Sequence, residues 1–162
     1  MAKRRVLVAA IAIAAAILTA GLVRAQQAKA GSMTTQDYVD IAQLYARYNT
    51  AIDAGDADGW AATFTPEGVF NGNTRGHDAL VQFVHDWRDK RNGANRRHWN
   101  SNLVITQTTE GANGSIYLQL LDVGVRPAAA TLTAIYEDRL VKTASGWRFK
   151  SRLLHNDPAP TQ

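Results

Sequence analysis

The chain contains no cysteine, so it forms no disulfide, offers no thiol nucleophile and takes no lipid on a cysteine. Its fold must hold by its core alone. There is no His-Glu-x-x-His, no phosphate-cradling glycine-rich loop and no nucleophile elbow. No repeat, low-complexity tract or second domain boundary interrupts the 162 residues. Neither a metal nor a cofactor is expected.

A long apolar run occurs only at the start. Lys3, Arg4 and Arg5 precede the uncharged stretch from Val6 to Leu18, and Val23-Arg24-Ala25 then offers small residues suited to cleavage. Residues 1–25 read as a signal peptide, with Ala28-Lys29-Ala30 as a second cleavage candidate. An uncleaved anchor reaching Val23 is the alternative, weakened by Thr19 and Gly21. The expected location is periplasmic or secreted. The net charge of +4 belongs to this segment. Without Lys3, Arg4, Arg5 and Arg24, 14 basic residues face 14 acidic ones, so neither nucleic acid nor, after cleavage, a membrane is an expected partner.

Residues 26–33 read as a linker, 34–157 as one domain and 158–162 as a tail. Thr34 with Asp37 suggests a helix start of the capping-box kind. Tyr38, Ile41, Tyr45, Tyr48 and Ile52 then recur at steps of three and four, the stripe of a helix closed by Gly55. Asp56 opens a shorter helix expected to carry Trp60, Ala61 and Phe64 and to stop at Pro66. Val69-Phe70 suggests a short strand before the Asn71-Gly72-Asn73 turn. A third helix is expected over His77–Arg91, with Leu80, Phe83, Val84 and Trp87 inward.

Strands follow: Arg97–Thr108, Ser115–Val125, Ala130–Thr143 and Trp147–Asn156. Helices first and antiparallel strands second make an α+β fold. On the last strand, alternation puts Trp147, Phe149, Ser151, Leu153 and His155 on one face. It leaves Arg148, Lys150 and Arg152 on a solvated outer face.

Four histidines and a few carboxylates remain as chemistry. Strict alternation puts His98, Asn100, Asn102 and Val104 on one face, where three polar groups suit a pocket wall better than a core. A neutral imidazole held by a carboxylate is the natural base near neutral pH. The competing reading of His98 is a strand-end histidine bonded to backbone. Asp53 ends the first helix, where its charge opposes the macrodipole, and shares an edge with Asn49. His77, His85 and His155 read more simply as surface or core residues.

Several segments, in order, resemble SnoaL-like domains of the nuclear transport factor 2-like superfamily. They are Leu44-Tyr45-Ala46-Arg47-Tyr48, Ala51-Ile52-Asp53-Ala54-Gly55-Asp56 with Trp60, and Phe64-Thr65-Pro66-Glu67-Gly68. After them come Gly76, Ala79-Leu80 and Phe83, then Arg97-His98 with Asn102. Tyr136-Glu137-Asp138-Arg139-Leu140-Val141 and Gly146-Trp147-Arg148-Phe149 complete the pattern. The resemblance implies a cone-shaped half-barrel, a curved antiparallel sheet wrapped around the long first helix. It matches Asp53 and His98 to the Asp–His dyad of scytalone dehydratase and hexachlorocyclohexane dehydrochlorinase, in which the His removes a proton from carbon. Tyr48 falls near the carbonyl-polarising tyrosine of ketosteroid isomerase. That isomerase's base aspartate would fall near Gly72, and the second dehydratase histidine on the Ser115–Val125 strand, where this sequence has neither.

The expected function is a cofactor-independent lyase or isomerase acting on a small apolar, possibly cyclic molecule. His98 would be the base, Asp53 its orienter and Tyr48 a catalytic hydrogen-bond donor. Asn49 and Asn102 would bind substrate, and Tyr45, Trp60, Phe70 and Trp99 are candidate walls. Polyketide cyclase-like ring closure uses the same logic. The rival is a non-catalytic module of the same fold for ligand binding or oligomerisation. The resemblance also implies a homo-oligomer, dimer or trimer.

Overall fold

A computed structural model describes residues 32–91 and 93–158. The chain divides into two compact units, Met1–Thr34 and Thr35–Gln162, and the elements below belong to the second. The expected signal segment lies outside the described residues.

Helix α1 spans Thr35–Ala54 and buries Ile41, Leu44, Tyr45, Tyr48, Ala51 and Ile52 along one side. Tyr38, expected on that stripe, is 43% exposed, so the buried face starts one turn later. Asp37 anchors the helix start, accepting hydrogen bonds from Lys142 Nζ at 2.7 Å and Trp147 Nε1 at 2.9 Å. Gly55, at φ +75°, ends α1: its N–H reaches the Ile52 carbonyl and the Asp56 N–H the Ala51 carbonyl, a Schellman closure. Asp56 caps α2, Ala57–Ala61, by accepting from the Gly59 N–H.

Strand β1 covers Phe64–Phe70 and β2 Thr74–Arg75. Phe64 and Pro66, expected in and after the second helix, both lie in β1. Helix α3, His77–Lys90, buries Leu80 and Val84 and leaves Phe83 and Trp87 half-buried. A 3₁₀ turn at Gly93–Asn95 leads into β3, Arg96–Gln107. Strands β4, Ala112–Asp122, β5, Ala129–Thr143, and β6, Gly146–Asn156, complete one curved, unclosed sheet in the order β2-β1-β6-β5-β4-β3. Its pairs are antiparallel except β1 with β6, which run parallel and make the sheet mixed. The α+β cone expected from the sequence is the fold observed.

Register shifts bend this sheet and change which side chains point inward. In β3 the pairing slips between Ser101 and Val104, with Asn102 at φ +58°. Leu103 and Ile105 are half-buried beyond the slip, and Asn102 and Val104 are exposed, so neither shares the buried position of His98. In β6, Ser151 pairs with Arg139 and Phe149 with Leu140, leaving Lys150 as the extra residue. Trp147 and Phe149 stay inside, but Arg152 turns inward and Leu153 outward. The solvated position expected for Arg152 is therefore wrong: the residue is fully buried. Arg148 and Lys150 keep outward positions.

The interior is an aromatic cluster joining α1, α2, β1, α3, β5 and β6. Tyr48 packs against Trp60, Phe64, Tyr136 and Phe149 at ring-centroid distances of 5.2–6.0 Å. Trp60 stacks on Phe83 at 5.4 Å and meets Phe70 edge-on. Each such buried ring contributes roughly 1.5–3 kcal/mol by leaving water.

Candidate active site

Asp53 and His98 meet. The last turn of α1 carries Asp53 to the start of β3, where Oδ1 lies 2.7 Å from His98 Nδ1. The second carboxylate oxygen accepts the backbone N–H of the same histidine at 3.1 Å. The two side chains are 14% and 5% exposed. A carboxylate at this helix end gives up favourable dipole interaction; here two donors from one residue offset that loss. Held by Asp53, Nδ1 carries the proton of the neutral ring, leaving Nε2 as its acceptor.

One turn earlier on α1, Asn49 donates through Nδ2 to Asn100 Oδ1 in a short contact. Asn100 in turn donates to the Tyr117 carbonyl at 2.9 Å. A carbonyl only accepts, so the relay fixes both amides: Asn100 turns its oxygen to Asn49, and Asn49 turns its own oxygen away. That Asn49 oxygen is buried and unpartnered among the described residues. The pair Asn49–Asn100 runs beside Asp53–His98 as a second polar rung between α1 and β3.

The other expected site residues separate into two groups. Tyr48, Tyr45, Trp60 and Phe70 are inside, at 4% exposure or less. Burial pushes the Tyr48 phenol up from its usual value, against the lowering effect of the nearby Arg152 charge, so it stays a neutral donor. Trp99 is 62% exposed and Asn102 faces outward beyond the β3 slip, so neither lines the interior. His77 and His155 are exposed, beside Asp58 and Glu137 respectively.

Sequence reasoning missed the most buried charge. Arg152 binds Asp138 through Nε at 2.7 Å and Nη2 at 2.8 Å, and Tyr45 donates to the same carboxylate at 2.5 Å. The guanidinium carbon lies 4.1–4.7 Å from the ring centroids of Tyr45, Tyr48, Tyr136 and Phe149. Asp138, two residues after inward Tyr136, was the available signal, since a buried carboxylate demands a partner.

Two clefts lie away from the dyad. One of about 670 Å³ runs between Phe64, Pro66, His77 and Arg148. Another of about 390 Å³ lies on the outer sheet face between Val104, Glu137, Arg139 and Leu153.

The model of the SnoaL-like domain matches residues 33–153. This chain belongs to the SnoaL-like domain family. Its fold places it with the nuclear transport factor 2-like proteins. A Nostoc punctiforme protein of unknown function with a cystatin-like fold is 25% identical, with a TM-score of 0.69, over 79% of this chain and 96% of that one. A Mycobacterium tuberculosis protein of unknown function is 27% identical, with a TM-score of 0.68, over 78% and 79%. A Catenulispora acidiphila structure in complex with S-DNPA is 27% identical, with a TM-score of 0.68, over 76% and 95%. No curated protein matches the chain.

Proposed function

We propose that this SnoaL-like domain is a cofactor-independent lyase or isomerase in which His98 removes a proton from carbon. The observation that carries the reading is the 2.7 Å contact between Asp53 Oδ1 and His98 Nδ1 in a nearly dry setting. Asp53 holds the tautomer that leaves Nε2 free to accept a proton and stabilises the imidazolium that results. Carbon acids are weak, so the base works only where water is kept away and the C–H bond is held close. Neutral Tyr48 is the donor available to a developing oxyanion. The substrate is a small apolar molecule, consistent with the aromatic interior.

The test needs no knowledge of the product. The domain is incubated in deuterated water with cyclic ketones, hydroxyketones and halocycles, and deuterium uptake at carbon is followed by mass spectrometry. Enzyme-dependent uptake lost in His98→Ala supports the reading. Uptake that persists in His98→Ala, or none above buffer across the panel, overturns it.

A second reading is favoured by one observation: rings and the Arg152–Asp138 pair fill the interior, and the described clefts lie elsewhere. On that reading the domain is a non-catalytic ligand-binding or oligomerisation module. Trp99, Val104, Tyr117 and Leu153, 41–62% exposed on the outer sheet face, suit contact with a second copy of the chain. Sedimentation equilibrium distinguishes a dimer or trimer from a monomer.

Export follows from the basic start and apolar run of residues 1–25. Amino-terminal sequencing of protein recovered outside the cytoplasm checks it: a start after Ala25 or Ala30 is expected, and an intact Met1 end overturns cleavage.

A further inference from the structure

Trp87 is left unused by the chemistry above. It sits in the last turns of α3, where the sequence makes it part of an inward stripe. Its indole packs against the His98 imidazole, ring centroids 5.9 Å apart and planes at 52°. This is within the range of aromatic pairs that prefer tilted contact.

The 3₁₀ turn preceding β3 is shaped to receive that indole. A Cβ on Gly93 would stand 2.5 Å from Trp87 Cδ1, 2.6 Å from Nε1 and 2.8 Å from the Trp87 carbonyl oxygen. Those separations are below any ordinary contact, so the side chain lies against bare backbone there. Gly93 is itself buried, and Trp87 Nε1 is buried without a hydrogen-bond partner among the described residues. A buried indole N–H normally finds an acceptor. The ring occupies this position by packing.

His98 is held at its stem and at one ring atom. Asp53 takes the backbone N–H with one oxygen and Nδ1 with the other. What that grip leaves uncontrolled is access of water to the imidazole and tilting of the ring about its bond to Cβ. The indole covers the ring on the side of α3.

We propose that Trp87, seated on Gly93, is a positioning residue for His98: it fixes the imidazole against Asp53 and shields the Nδ1 proton from water. The proposal rests on the reading of His98 as a base held by Asp53. It adds that the dyad depends on a third residue that touches no carboxylate.

Proton NMR of the folded domain tests it without a substrate. The Asp53–His98 bond gives a strongly deshielded imidazole proton in the wild type, lost in Asp53→Asn. Trp87→Leu keeps apolar bulk but removes the ring. Exchange of that proton with water is expected to accelerate at least about tenfold. Trp87→Phe restores the slow exchange. Gly93→Ala displaces the indole without touching His98 and gives the same acceleration as Trp87→Leu, which keeps the test available should either variant fold poorly. Wild-type exchange in Trp87→Leu or in Gly93→Ala overturns the role of Trp87 and leaves the dyad standing. A wild-type domain with no such proton overturns the dyad reading itself and the Trp87 role with it.

Discussion

Arg152 and Asp138 face each other across neighbouring strands, both at the sheet's inner surface, and form a two-point ion pair without contact with water. Burial alone would depress the guanidinium, but the Asp138 carboxylate overrides it and holds its pKa above the usual arginine value. The charge is permanent, so everything around it must accommodate a cation. The four surrounding rings do so, and the Tyr45 hydroxyl donates to the carboxylate that balances it.

Removing one member of this pair strands the other. Arg152→Met or Asp138→Leu alone is expected to cost about 3–5 kcal/mol. The double substitution should cost well under the sum, because neither charge remains to be buried alone. Urea unfolding of the four proteins measures the cycle. Additive losses would mean that the two charges do not depend on each other.

The sequence made the helical half of the fold legible because steps of three and four survive packing. The stripe from Ile41 to Ile52 is buried as read, and α3 buries Leu80 and Val84. The Asp53–His98 encounter was legible through the ordered family segments, and the structure brings the pair together. Strand faces were less legible. A single extra residue inverts every side chain after it, and nothing in the alternation marks where it falls. Lys150 is such a residue, so Arg152 was put on the wrong face and Leu153 with it. The slip in β3 did leave a trace: Asn tolerates φ > 0 better than most residues, and Asn102 occupies that region.

Asp53→Asn removes the charge and keeps the shape. Stability is expected to fall by about 1–3 kcal/mol, since a charge-assisted contact becomes a neutral one and two donors of His98 lose their anion. If His98 is the base, deuterium uptake at substrate carbon should fall by about 10²–10⁴-fold, the usual contribution of a positioned acid–base group. Urea unfolding and the exchange assay together check this. A loss of stability with unchanged uptake would leave Asp53 as a structural cap only.

Lys150 deletion is a test of register. Without the extra residue, Phe149 opposite Leu140 is followed directly by Ser151 opposite Arg139, so Arg152 keeps its inward place opposite Asp138 and the buried ion pair is retained. The deletion variant is therefore expected to keep a cooperative unfolding transition, and Lys150→Ala should stay within about 0.5 kcal/mol of the wild type. Circular dichroism through a thermal scan follows both. A deletion variant without a cooperative transition would contradict the bulge, because removing a regularly paired residue turns every later side chain to the other face.

Tyr45, Tyr48 and Tyr136 give the fold an alkaline limit. Burial raises all three phenols above their usual value, with the Asp138 charge adding to the effect at Tyr45 and the neighbouring Tyr48 at Tyr136. The unfolded chain binds fewer protons than the native state once the pH passes about 10, so stability is full below that pH and falls above it. Each phenol contributes a slope of up to about 1.4 kcal/mol per pH unit. Urea midpoints measured from neutral pH into alkali should therefore drop steeply. Tyr45→Phe should be less steep by one proton, and an unchanged slope in that variant would count against the burial of Tyr45 as a neutral phenol.

The Tyr45 hydroxyl also explains a glycine. A Cβ on Gly114 would stand 2.1 Å from Tyr45 Oη and 3.3 Å from Leu140 Cδ1, so β4 carries no side chain where Tyr45 reaches Asp138. Gly114→Ala must push the phenol away from the carboxylate. The expected loss is about 1–3 kcal/mol, an overpacking cost to which a broken buried hydrogen bond is added. Tyr45→Phe removes the hydroxyl and with it much of the clash, so Gly114→Ala should cost less in the Tyr45→Phe background than in the wild type. Denaturant unfolding of both singles and the double measures that difference. Equal costs in the two backgrounds would mean that Gly114 is required by the β4–β5 backbone and not by Tyr45.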